Sequence, residues 1–190
     1  MFELIDEEPV NIVIATVEKN ELMPSIFAFS DLSESQLRSE KVDFLMVYGA
    51  TEIVNDRLKV PCDNTGCVLA VIDSELTNTD LATQVMTNIK GKLDGHEMPN
   101  NLDICDIRQL AEDAHKLVGF DCLDKLHQFL QRAESRTVIG VVLLLHGRVD
   151  EAIFSDAGQR IQKHISDFSV LYLSVFSKGI GRCSALVGIK

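Results

Sequence analysis

The run from Val138 to Leu145 constrains the fold more than any other stretch of the chain. It is apolar throughout, rich in β-branched residues, and ends abruptly in His146-Gly147-Arg148-Val149-Asp150-Glu151. A strand exposed on one face alternates apolar and polar residues. A continuous run of this length reads as a strand covered on both faces, the habit of sheets with helices packed on each side. It is also far short of the ~20 residues that span a bilayer. Cys67 to Ile72 is a second run of the same kind, followed by Asp73-Ser74-Glu75. Each run passes through a polar turn into a helical pattern: Leu81, Val85, Met86 and Ile89 after the first, Ile153, Ala157, Ile161 and Ile165 after the second. Two such strand–helix units, flanked by further strands, imply an α/β (or α+β) protein with a mixed sheet and packed helices.

The other elements follow from period and punctuation. Val10–Val17, Ile26–Phe29 and Val42–Tyr48 read as strands. Asp31-Leu32-Ser33-Glu34 resembles a capping box that opens a helix to about Glu40. Ile53 to Val60 alternates and stops at Pro61, as a half-exposed strand does. Thr79 is placed to cap the helix carrying Leu81, and Gly91, Gly95 and Pro99 to break it. Ile107, Leu110, Ala111, Ala114, Leu117 and Val118 form a helical stripe, ended by Gly119. A second helix carries Leu123, Leu126, Phe129 and Leu130, which gives a helical hairpin. Phe168–Phe176, a turn at 177–181, and Cys183–Ile189 read as a C-terminal β-hairpin, apolar on both faces. The expectation is one α/β domain over 1–190, within which 102–134 can be a helical insertion.

Charge narrows the partners. The chain carries a net charge of −11. Such a surface repels phosphate backbones and anionic lipid, so neither nucleic acid nor membrane is expected. The five cysteines, Cys62, Cys67, Cys105, Cys122 and Cys183, cannot all pair. The N-terminus has no basic stretch of the signal-peptide kind, so reduced thiols in the cytoplasm are the expectation.

No motif specifies a reaction. In open α/β sheets ligands sit beyond the carboxyl ends of strands. If the two buried strands are parallel neighbours, Asp73 and Glu75 from one converge with His146, Arg148, Asp150 and Glu151 from the other. Carboxylates with a histidine can hold a divalent ion or divide acid and base roles, and Arg148 can neutralise a phosphate or carboxylate. The ordinary alternative is polar loops with acids at helix starts. Ser177-Lys178-Gly179-Ile180-Gly181-Arg182 can cradle an anion, but no helix pattern follows it, so a hairpin turn is the simpler reading. Cys62 and Cys67 lack zinc-knuckle spacing, so no metal or cofactor is assigned. His115, His127 and His164 fall in helical segments, and His96 in the Gly/Pro loop.

Two functions are consistent with these residues. One is a non-catalytic interaction or regulatory module that self-associates, or binds a protein partner, through the two-sided apolar C-terminal strands. The other is a small-molecule binding protein, or a metal-dependent enzyme, acting at the strand ends.

Overall fold

The computed structural model describes residues 10–17, 26–73, 77–95, 97, 100–134 and 137–190. The chain runs β1 (Ile12–Thr16), β2 (Ile26–Ala28), a 3-10 turn (Phe29–Asp31), α1 (Glu34–Ser39), β3 (Phe44–Tyr48), α2 (Glu52–Thr65), β4 (Val68–Ile72) and α3 (Thr79–Gly95). It continues with α4 (Ile104–Asp113), β5 (Lys116–Phe120), α5 (Leu123–Arg132), β6 (Val138–His146), α6 (Glu151–Gln162), β7 (Val170–Phe176) and β8 (Cys183–Ile189). The strands form one mixed sheet in the order β2-β1-β3-β4-β5-β8-β6-β7, which bears out the α/β expectation. Neighbours are parallel, except that β8 runs against both β5 and β6. No helix among the described residues is long and apolar enough to cross a membrane.

The long apolar run behaves as its pattern demands. Val142 and Leu144 of β6 join the core under α3 and α4, while Val141, Leu143 and Leu145 join the opposite core under α5 and α6. Full burial of each such side chain stabilises by roughly 1.5–3 kcal/mol. Both strand–helix units are present, as β4–α3 and β6–α6.

Three stretches differ from their sequence patterns. Ile53–Val60 is not a strand but part of α2. Val54, Leu58 and Cys62 stand four apart and face a third core beside β1 and β3. Thr51 caps this helix by accepting from the Val54 N–H, and Pro61 lies inside it at the cost of one ladder bond. Leu117 and Val118 are not helical either. The stripe ends at Asp113, and β5 runs through the middle of the sheet, where Leu117 and Val118 pair with Gly188 and Val187. Between 102 and 134 the chain is therefore helix, strand, helix. Finally, β7 and β8 do not form a hairpin. β6 lies between them, parallel to β7 and antiparallel to β8. Smaller shifts concern α3. The Asn78 side chain, rather than Thr79, accepts from the Leu81 N–H, and the helix runs through Gly91 to Gly95.

The two halves of the sheet are offset along the strand direction. β4 meets β5 at one register pair, Ile72 with Leu117. Leu117 is level with Gly188, and Gly188 with Gly140, so β4 ends where β6 begins.

Candidate functional site

That offset decides the fate of the strand-end residues. Asp73 and His146 emerge toward the same side of the sheet, since β4 and β6 run the same way. However, β5 and β8 separate their strands. At ~4.8 Å per strand this is about 14 Å across, and His146 lies six residues beyond Gly140, roughly 20 Å farther along. The two ends form no single cluster. Asp73 is buried at the β4 terminus, where Lys116 Nζ of β5 meets its carboxylate at 2.5 Å. Asp150 caps α6, its carboxylate accepting from the Ile153 N–H at 2.8 Å. Glu151 opens that helix and, like Arg148, is exposed. Ser74 and Glu75 lie outside the described residues, as does His96.

His146 sits under the 177–182 loop. Its backbone N–H donates to Arg182 O at 3.1 Å, and its ring meets Phe176 edge-on, with centroids 6.3 Å apart. A Cβ on Gly179 would come within 2.4 Å of the imidazole, so only glycine fits against it. Both ring nitrogens are buried and make no well-formed hydrogen bond, and burial, opposed by the nearby backbone of Gly181 and Ile180, holds the pKa below the usual histidine range. The imidazole packs between Phe176 and the Gly179 turn.

The loop above it is held from α3. Asn88 donates to Ile180 O at 3.0 Å and to Ser184 Oγ at 2.9 Å, and accepts from the Ile180 N–H at 2.9 Å. Gln84 adds a bond to Ile180 O, and the Glu97 carboxylate accepts from the Ser177 N–H. The Gly179 N–H is taken by Phe176 O. With the N–H groups of Ser177, Gly179 and Ile180 already occupied, the loop is a tethered turn rather than a phosphate cradle. Lys92, wholly buried, donates to Val175 O at 2.9 Å and to Glu97 O. Burial lowers its pKa. Asn88 and Lys92 carry a sequence signal: both fall on the apolar stripe of α3, where a polar side chain must find partners.

The most distinctive surface is the outer edge of β7. Phe176 O accepts from the Gly147 N–H, so the peptide groups of Phe176 face β6. Peptide direction alternates along a strand, so those of Val175, Leu173 and Leu171 face outward. Lys92 takes the Val175 carbonyl. The outward N–H and C=O groups of Leu171 and Leu173 have no partner among the described residues. They face a groove of about 550 Å³, walled by α6 through Glu151, Ser155 and Gln159 and by residues 100–102. Phe168, just before β7, is 97% exposed.

The remaining candidates are minor. His127 and His164 approach to 6.3 Å between ring centroids, and burial, with Arg160 and His164 nearby, lowers the pKa of His127. His115 lies between α4 and β5, not in a helix. All five cysteines are free thiols.

No protein-family profile matches the chain, and no curated protein sequence is similar to it. Solved structures do match. CetZ from Methanosaeta thermophila strain DSM 6194 superposes with a TM-score of 0.55 at 10% identity, over 97% of this chain and 62% of that one. The FtsZ W319Y mutant of M. jannaschii gives 0.49 at 11%, over 98% of this chain and 66% of that one. The chain thus spans less than two thirds of either structure. Its α/β fold is similar to that of the CetZ structure.

Proposed function

We propose that the protein is a non-catalytic interaction module whose working surface is the β7 edge. The observation that carries this is the pair of outward peptide groups at Leu171 and Leu173, which have no partner among the described residues. Natural sheets blunt such edges with lysine, proline, bulges or very short strands. The seven residues of β7, VLYLSVF, contain no lysine or proline. An extended partner strand laid in the groove adds main-chain hydrogen bonds worth about 1 kcal/mol each, with side-chain pockets setting specificity. The net charge of −11 favours a protein partner over nucleic acid, and free thiols suit a reducing, cytoplasmic setting. The enzymatic alternative has less support: Asp73 is engaged by Lys116 and Asp150 by its helix.

A peptide with the β7 sequence, flanked by lysines, serves as a probe. It should bind saturably and slow amide exchange at Leu171 and Leu173. Leu171→Pro removes an outward N–H while sparing the β6 ladder, as edge prolines do, and should abolish binding with the fold retained by circular dichroism. Equal binding by the wild-type protein and the variant would overturn the proposal.

A further inference from the structure

The identity of the docked strand can be argued from the same edge, and this inference rests on that reading of β7. We propose that the partner strand is β7 of a second copy, antiparallel, about a two-fold axis through Tyr172.

The first ground is reciprocity. In an antiparallel ladder a hydrogen-bonded pair exchanges both its N–H···O bonds. The two outward residues, Leu171 and Leu173, stand two apart. With the axis at Tyr172, Leu171 of each copy faces Leu173 of the other, and the outward N–H and C=O groups of both leucines find a mate. Such an isologous contact closes on itself as a dimer.

The second ground is charge. α6 forms one wall of the groove, and Gly158 near its middle lies against Leu173, whose Cδ2 is 3.2 Å from where a Cβ would stand. The helix begins with exposed Asp150 and Glu151 and ends with exposed Arg160 and Lys163. Arg160 is paired with Asp156 at 2.9 Å, whereas Lys163 has no ion-pair partner among the described residues. A two-fold axis near the helix centre sets the acidic start of one α6 beside the basic end of the other. Glu151 then faces Lys163 of the second copy, twice per dimer, and the helix dipoles run in opposition. A parallel arrangement sets acid beside acid.

Analytical ultracentrifugation of the intact chain tests this. The wild type should dimerise. Glu151→Lys and Lys163→Glu should each raise the dissociation constant roughly fivefold, since exposed pairs contribute little individually. The double variant, with the charges exchanged, should return close to wild type. Tyr172→Cys should crosslink under mild oxidation, because directly opposed residues of a non-hydrogen-bonded pair lie about 4.5 Å apart at Cα, within disulfide reach. A chain that stays monomeric at hundreds of micromolar but still binds the β7 peptide overturns the second-copy assignment and leaves the interaction reading standing. A dimer indifferent to both charge changes and to Tyr172→Cys overturns the axis.

Discussion

The two edges of the sheet are built differently. Among the described residues, β2 closes one side with three residues and passes at once into a 3-10 turn. β7 closes the other with seven, all in register with β6 from Gly140–Val170 to His146–Phe176. Both edges belong to parallel pairs, so strand direction does not distinguish them. Length does. A three-residue edge offers too few peptide groups to template another chain, while a seven-residue edge without charge or proline is a ready acceptor. One edge is shielded by being short. The other is left open at Leu171 and Leu173, while Lys92, Glu97 and Asn100 close on its far end through Val175 O, the Ser177 N–H and Ser174 Oγ.

Lys92 is where this contrast breaks most deeply. Lys92→Ala removes a buried side chain and strands the Val175 carbonyl, so urea unfolding should show a loss of about 3 kcal/mol, with Lys92→Met losing less. A loss near zero would mean that the end of β7 is secured by other contacts. Next come matched edge lysines. Leu171→Lys should weaken self-association roughly tenfold, about 1.4 kcal/mol, and Phe27→Lys in β2 should leave it unchanged in the same sedimentation experiment. Equal effects at the two edges would erase the distinction. Asp150→Ala, which uncaps α6 beside the groove, should lower unfolding free energy by ~1 kcal/mol.

The smallest effect is a pH slope. Burial depresses the pKa of folded His146, so the unfolded chain takes up its proton first, near the ordinary value of ~6.5. The stability linked to the neutral ring is complete above that pH and is lost as pH falls through and below it. His146→Phe should therefore reduce the drop in melting temperature between pH 7.5 and 5.5. An unchanged drop would remove His146 from the C-terminal half's pH response and leave it to His127, whose pKa is also depressed by burial.

The central strand was legible because a continuous apolar run admits few alternatives, and β6 is indeed buried on both faces. α2 was not, because Ile53, Val54, Leu58 and Val60 fit alternation about as well as a helical stripe, and Pro61 looked like a stop rather than an interior residue. β5 was misread since Leu110, Ala114, Leu117 and Val118 continue a helical period, and only pairing with β8 makes 116–120 extended. Tertiary pairing overrides local period in such segments. The distance between Asp73 and His146 depends on which strands intervene, and no local pattern encodes that. The β7 edge had half a signal: its two apolar faces were visible, but its place at the margin was set by β6 slipping between β7 and β8.

The single register pair between β4 and β5 has a mechanical consequence. Among the described residues the two halves of the sheet are joined by the Ile72–Leu117 pair, the Asp73 N–H to Leu117 O bond, the Asp73–Lys116 contact and the Gly119 N–H to Thr77 Oγ1 bond. α3 leaves the first half and docks its Gln84, Asn88 and Lys92 on the second, so it acts as a strap across a weak seam. Cooperativity between the halves then travels through α3, α4 and the core they cover as well as through strand pairing. Loosening that strap would let the β5–β8–β6–β7 half unfold as a unit of its own while β1–β4 stay folded.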